Sequence, residues 1–303
     1  MTKVAVLMST FNGEAYIKEQ LESIIAQEGV EVHLFIRDDG SSDQTCEIIN
    51  NFKTNNPDIE LIQGVNLGPA RSFLELIGIV LERCKEYSYY SFADQDDIWK
   101  TEKLSSAIEM LEREGADTYY SAVQLYSKDE RINGFVKSGK KLSDKEFMLR
   151  NTAPGCTIVF SSEIAKLVSK YNPNWLEMHD SWIMRVTICT NHKIVFSKNP
   201  YILYRIHGNN TCGVSHGFVS NTKSSILSLK NNNMIVSRTA NELLVGYGDL
   251  ISNNDLFKYL KWLSIINVQK YRRIMFFHYI SIKDFSSKKN YFKFIIKLFL
   301  GKL

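Results

Sequence analysis

The sequence predicts an α/β fold in which a mixed, mostly parallel sheet is flanked by helices and followed by a C-terminal helical extension. Two observations carry this. From Val4 to Arg113, short apolar runs of strand length alternate with segments whose apolar residues recur at helical spacing. The first four strands are also each followed by a polar cluster, at residues 9–14, 38–43, 66–71 and 94–97. In a parallel sheet those clusters meet at one edge, outside the carboxyl ends of the strands, where open α/β sheets bind ligands.

Residues 4–8 read as a buried strand, and 14–27 as a helix with Ile17, Leu21, Ile24 and Ile25 at helical spacing. Residues 32–36 form the second strand. The cluster after it is a turn and then a helix start, because Ser and Asp cap helix N-termini well. That helix passes through Ile48, Ile49 and Phe52 and stops before Pro57. Residues 59–62 are the third strand. Pro69 suits the first turn of a helix, where its missing N–H is not needed, and that helix reaches about Glu82. Residues 87–93 are the fourth strand and 103–113 the next helix. The middle is less regular: 117–126 reads as a strand, 138–142 as a polar loop, 155–160 as a short strand, 177–191 as a helix, and 193–197 and 201–206 as strands. The Gly-, Asn- and Ser-rich stretch 208–217 is the expected boundary, separating residues 1–215 from 216–303. Beyond about Phe218 the pattern is helical, and its segments 257–266, 271–282 and 291–300 are aromatic and basic.

Only five prolines and no low-complexity tract interrupt the 303 residues, which argues against long disordered linkers. No run approaches the ~18 apolar residues of a membrane span. The chain enters its first strand at once, with no signal-peptide pattern, so a cytoplasmic protein is expected. Cys46, Cys84, Cys156, Cys189 and Cys212 are odd in number, widely spaced and without a CxxC pair, which argues against a zinc site or a disulfide framework. The net charge of +4 is unevenly spread: residues 258–303 hold eleven Lys/Arg and one acid. A basic, aromatic tail on a neutral-to-acidic body calls for an anionic surface as partner. Lys289, Lys293 and Lys297 fall on one helix face, with Phe292, Ile295, Ile296 and Phe299 elsewhere around it. That is the pattern of a helix lying in a membrane interface; it also fits a bundle packed on the body with its lysines solvated.

The run Ser91-Phe92-Ala93-Asp94-Gln95-Asp96-Asp97-Ile98-Trp99 delivers three carboxylates in four residues at a strand end. Carboxylates that close repel unless protons or a cation neutralise them. Mg²⁺ and Mn²⁺ take oxygen ligands, commonly one or two carboxylates plus substrate phosphates. Read alone, the run serves equally well as a solvated Asp-rich turn.

Taken together, Ser9-Thr10-Phe11-Asn12-Gly13-Glu14, Arg37-Asp38-Asp39-Gly40-Ser41-Ser42-Asp43, Asn66-Leu67-Gly68-Pro69-Ala70-Arg71 and Asp94-Gln95-Asp96-Asp97 resemble family 2 of the glycosyltransferases, which have the GT-A fold. Met178-His179-Asp180-Ser181-Trp182 and Tyr204-Arg205-Ile206-His207-Gly208-Asn209-Asn210 extend the match to the bacterial rhamnosyltransferase-like branch, over about residues 3–213. The resemblance implies an inverting transferase that moves a sugar, dTDP-rhamnose being the best donor, onto a lipid-linked or polysaccharide acceptor in cell-wall or capsule synthesis. It implies a divalent cation, Mg²⁺ or Mn²⁺, held by Asp96 and His207, and Asp180 as general base. Thr10, Phe11, Asn12, Glu14, Asp38, Asn66, Arg71, Asp94 and Gln95 would bind the nucleotide sugar, with Asp38 accepting the pyrimidine N3–H. Asp97, Trp99, His179 and Trp182 would lie on the acceptor side or behind the reacting groups. The protein would be peripheral on the inner face of the cell membrane and would bind no nucleic acid. The family's usual pair of transmembrane helices is missing from the tail, which disfavours a processive synthase. A UDP-galactose, UDP-glucose or UDP-galactofuranose transferase and a non-catalytic membrane-associated scaffold are the alternatives.

Overall fold

Strand β1 (Thr2–Thr10) runs through the middle of the main sheet, and its residues Val4 to Met8 are completely buried. An all-apolar strand of this kind needs a layer on both faces. The computed structural model describes residues 1–83, 86–127, 136–137, 142–207, 234–266, 270–277 and 279–300. Beside β1 lie β2 (Val30–Asp38), β3 (Ile59–Gln63) and β4 (Tyr89–Ala93), with β2 and β4 parallel to β1 and β3 parallel to β2. Helices α1 (Ile17–Ile25), α2 (Thr45–Asn55) and α3 (Pro69–Glu82) make the crossovers, and α4 (Lys103–Glu114) follows β4. The sheet is completed by β6 (Thr118–Ser121), β9 (Val159–Ser161) and β10 (Ile194–Ser197), in the order β10-β6-β9-β4-β1-β2-β3. Only β9 runs against its neighbours. A smaller sheet joins β5 (Ile98–Trp99), β7 (Val123–Tyr126), β8 (Val136–Lys137) and β11 (Ile202–Arg205), in the order β5-β11-β7-β8.

The alternation along β1 divides the core. Val4, Val6 and Met8 face α1 and α4, while Ala5 and Leu7 face α3. The second layer continues through α5 (Asp144–Leu149), α6 (Ser162–Ser169) and α7 (His179–Cys189) into α8 (Ile235–Tyr247), α9 (Asn254–Ile265), α10 (Lys270–Phe277) and α11 (Lys288–Leu300). Leu243, Tyr259, Leu263, Phe276 and Leu298 are buried in the same cluster as Phe147 and Trp182. Buried Glu146 of α5 ties the segment before α11 to the body, accepting from the Ser286 backbone N–H (2.6 Å) and from Asn290 Nδ2 (3.2 Å). The C-terminal helices are therefore packed on the α/β body. No helix among the described residues is long and apolar enough to cross a membrane.

The first four strands and the helices between them agree with the sequence reading. The stretch 117–126 divides at Ala122, whose N–H donates to the Ser197 carbonyl (3.0 Å), and its halves enter different sheets. Residues 155–157 form a 3₁₀ turn before β9. A Cβ on Gly155 would sit 2.9 Å from His179 Nε2, so this tight approach requires glycine. Helices α5 and α6 have no counterpart among the expected elements, while α8 falls in the stretch beyond about Phe218 that is expected to be helical. The expected boundary at 208–217 lies outside the described residues, as does all of the 138–142 loop except buried Leu142.

Candidate active site

Hydrogen bonds join all four strand-end clusters at one edge. The Phe11 N–H donates to Gln95 Oε1 (3.0 Å), and Gln95 Nε2 donates back to the Phe11 carbonyl (3.2 Å), linking the first cluster to the fourth. The Asn12 N–H donates to Ser41 Oγ (2.8 Å), and the Ser42 N–H to Asn12 Oδ1 (2.9 Å), linking first to second. Asp39 accepts from the Leu67 and Gly68 N–H groups, both at 3.1 Å, linking second to third. Arg37 pairs with Asp39 in the interior and donates to the Val65 carbonyl (3.2 Å), so this buried pair holds the 65–68 loop. Residue spacing alone does not mark Arg37 and Asp39 as a buried pair.

On the expected nucleotide side, Phe11 is 47% exposed on a backbone that Gln95 clamps from both directions. Asp38 does not present a free acceptor for a base N3–H. Its Oδ1 accepts from the Gly40 and Ser41 N–H groups (3.1 and 2.8 Å), and its Oδ2 from Thr10 Oγ1 (2.9 Å) and Ser41 Oγ (2.5 Å). Burial raises its pKa, but the bonds from Ser41 and Thr10 outweigh that and hold it below the ordinary value. Thr10 is itself buried against Asp38. Glu14 accepts from the Gln44 N–H (3.0 Å) at the start of α2. Asn66 accepts from the Gly68 N–H (3.0 Å), and Arg71 holds Asn172 Oδ1 (2.7 Å) and the Asn174 carbonyl (3.0 Å). Here these three polar side chains brace loops.

At the acidic run, His207 Nε2 lies 2.7 Å from Asp96 Oδ2, both side chains 16% exposed. The smaller sheet makes that contact possible: β5 and β11 pair, and β11 carries the chain to His207, whose ring stacks on Tyr16 at 4.8 Å. Arg205 donates through Nε to the Asp96 carbonyl (2.9 Å) and through its backbone N–H to Asp97 Oδ1 (3.1 Å). Asp97 is fully buried, so it is out of reach of an acceptor hydroxyl, and no N or O donor among the described residues reaches its Oδ2. Asp94, Asp97 and the Cys156 thiol each bring an atom within 4.8 Å of the others. Burial pushes the Asp94 carboxyl up to about 7, helped by the charges of Asp96 and Asp180; burial and its two acidic neighbours also push Asp97 up. Lys103 lies among them, its ammonium depressed by burial, donating to Ser91 Oγ (2.8 Å) and lying 3.1 Å from the Trp99 ring centre. Trp99, only 3% exposed, is thus part of the floor of the site.

These residues suit a hard divalent cation. Asp96 and His207 offer an oxygen and an imidazole nitrogen near the surface, beside carboxyls that burial first, and then one another's charge, push toward the neutral form. Burial and the adjacent acids keep the Cys156 thiol protonated, so the group is not a soft-metal site.

Asp180 is the second residue of α7 and close enough to Asp94 for the two charges to interact. Burial, its largest influence, raises its pKa to about 6. His179 points inward: it is 4% exposed, packed against Phe73 (4.0 Å) and Phe92 (4.7 Å), and burial lowers its pKa to about 3. A neutral imidazole enclosed in this way lies behind the reacting groups and is not a base for the acceptor. Trp182, expected on the acceptor side or behind the reacting groups, lies 2% exposed in the core beside Tyr171 and Tyr247. Arg185 braces the start of α7, donating to Glu177 Oε2 (2.9 Å) and to the Phe147 carbonyl (3.1 Å).

A mostly parallel sheet with acids at its carboxyl edge, a small second sheet that brings a histidine onto them and a raised carboxyl beside them fit a nucleotide-sugar-dependent glycosyltransferase of the GT-A type, and comparison with known proteins shows that class. Residues 5–188 match the model of Glycosyl transferase family 2, and the chain belongs to that family. It is 33% identical over 225 residues to the dTDP-rhamnosyl transferase RfbG of Shigella flexneri, a match covering 71% of this chain and 77% of RfbG. Among solved structures, residues 1–349 of S. aureus TarS in complex with UDP-GlcNAc superpose with a TM-score of 0.55 at 18% identity, over 90% of each chain. The mannosyltransferase PcManGT of Pyrobaculum calidifontis, solved with GDP-Man and Mn²⁺, gives a TM-score of 0.56 at 10% identity, over 98% of this chain and 85% of that one. These two likenesses establish the fold.

Proposed function

We propose that this protein is an inverting rhamnosyltransferase that moves rhamnose from dTDP-rhamnose onto a lipid-linked or polysaccharide acceptor in bacterial cell-wall or capsule synthesis, working at the inner face of the cell membrane. The observation that carries the reading is the meeting of Asp94, Asp96, His207 and Asp180 at the sheet edge, with Asp180 raised to about 6. The likeness to RfbG favours rhamnose as the sugar.

The exposed Phe11 ring is a stacking platform for the pyrimidine. Asp96 and His207 would hold Mg²⁺ or Mn²⁺, which when bound offsets the charge that develops on the leaving pyrophosphate. Asp94 would contact the ribose or the metal shell. Asp180 removes the acceptor hydroxyl's proton as its oxygen attacks the anomeric carbon from the face opposite the pyrophosphate, which inverts the configuration. A pKa near 6 leaves Asp180 ionised at neutral pH yet more basic than an ordinary carboxylate. A stacking platform does not by itself distinguish thymine from uracil, so a UDP-hexose transferase is the second reading.

A thermal-shift panel of nucleotide sugars with Mn²⁺ separates the two. The reading expects dTDP-rhamnose to raise the melting temperature more than UDP-galactose, UDP-glucose or UDP-galactofuranose does. A larger shift with a UDP-hexose would remove rhamnose from the proposal.

A further inference from the structure

Half of the exposed large apolar side chains among the described residues lie between Tyr271 and Leu300, about a tenth of the chain. In α11 the inward positions are Phe294 and Leu298, both buried, whereas Phe292, Ile296, Phe299 and Leu300 are 52–58% exposed. In α10, Tyr271, Ile274 and Met275 are 51–55% exposed, at the i, i+3, i+4 spacing of one helix face. The two helices are packed together through Phe276 on Phe294 (6.2 Å) and Phe277 on Phe299 (5.8 Å), so their outer faces belong to one unit. Lys289, Lys293 and Lys297 are exposed and flank Phe292 and Ile296 along the helix. Soluble surfaces rarely keep this much apolar area together without a partner.

The charge identifies the partner. Residues 270–300 hold eight Lys/Arg and a single acid, Asp284, which is already paired with Lys145 (3.2 Å). A second copy of the chain would bring two cationic faces together, and an ordinary cytosolic protein surface would meet the apolar positions with polar groups. A bilayer with anionic headgroups supplies what both sets of side chains need: hydrocarbon for the aromatic and aliphatic groups, and negative charge for the lysines.

We propose that the outer face of α10 and α11, centred on Phe292, Ile296 and Phe299, inserts into an anionic lipid surface while Lys289, Lys293 and Lys297 engage its headgroups. This rests on the peripheral-membrane part of the functional reading and is independent of the sugar-transfer chemistry.

The test is co-sedimentation of the full chain with vesicles of phosphatidylcholine alone or of phosphatidylcholine mixed with phosphatidylglycerol, across a salt series. The wild type pellets with the mixed vesicles, and its binding falls as salt rises. Loss of each lysine charge at low salt weakens binding roughly fivefold, so Lys289→Gln, Lys293→Gln and Lys297→Gln combined abolish most of it. The Phe292→Asp/Phe299→Asp variant loses binding as well, while Mn²⁺ and donor still raise its melting temperature as in the wild type, which shows that it is folded. Lipid binding by a wild type that transfers no sugar sustains this inference and sinks the functional reading instead. Equal pelleting of wild type and the Phe variant overturns the inference. So does a wild-type dimer, seen by light scattering, that the Phe substitutions convert to monomer, because the face is then a self-interface.

Discussion

Asp180→Asn changes one atom in the side chain and removes the proposed base. Asn keeps an oxygen to accept the Ser181 N–H, which Asp180 Oδ1 takes at 2.5 Å, so the start of α7 is retained and the melting temperature changes little. General-base catalysis contributes roughly 100- to 10,000-fold, so kcat should fall by that factor, equivalent to about 3–5 kcal/mol of transition-state stabilisation. The KM for donor should stay close to wild type, since Asp180 serves the acceptor. The pKa of about 6 adds a second signature. A base must be deprotonated to act, so activity is retained above that value and lost below it. At pH 7.5 roughly 97% of the carboxyl is ionised and at pH 5 roughly a tenth, so wild-type kcat should drop about tenfold across that interval. Saturating Mn²⁺ keeps Asp94, near 7 without a cation, from adding its own protonation to that limb. The residual activity of the Asn variant should lack the limb. The assay is initial-rate transfer from radiolabelled donor at fixed ionic strength. An Asn variant within a few-fold of wild type, or one that keeps the same acid limb, would refute Asp180 as the base.

Mn²⁺ should raise the melting temperature of the wild type in a concentration-dependent way, and Asp96→Ala should abolish the shift; an unchanged shift in the variant would move the cation elsewhere. Gly155→Ala places a methyl 2.9 Å from His179 Nε2, in a ring that Phe73 and Phe92 hold in place, and should cost about 1–3 kcal/mol in urea unfolding. No loss would mean that the 3₁₀ turn yields easily. Arg37→Leu leaves the Asp39 carboxylate buried without its cation and should cost about 3–5 kcal/mol, with part recovered in Arg37→Leu/Asp39→Leu; equal stability of the single and double variants would contradict this. Phe11→Ala should weaken donor binding by about 1–3 kcal/mol, read as KM or as a dissociation constant, with little effect on stability because the ring is half exposed.

The sheet edge was legible in the sequence because apolar strands such as 4–8 and 89–93 run straight into polar turns, and parallel strands must place those turns together. The pairing of Asp96 with His207 followed only from the family motif, since 111 residues separate them and the small sheet that joins them has a two-residue strand, β5. A lysine at a helix start reads as solvated, and only the fold shows Lys103 buried against Trp99 beside Asp94 and Asp97. His179 and Trp182 were placed at the site because their neighbour Asp180 is there. From Ser181 to Cys189, α7 is buried on every side, so it carries no amphipathic period that would have said which way each residue points. Asp38 looks like a free acceptor in the sequence because a turn's hydrogen bonds to its own carboxylate leave no trace in residue spacing. The reversal of β9 was equally invisible, since three residues of strand carry no sign of direction.

Transfer from dTDP-rhamnose by the full-length wild type, with the anomeric configuration of the product read by NMR and parallel reactions run in Mn²⁺ and in EDTA, tests the central claim most directly. The account predicts a glycoside of inverted configuration, formed with the divalent ion and suppressed without it. A product of retained configuration, or transfer at the same rate in EDTA, would contradict it.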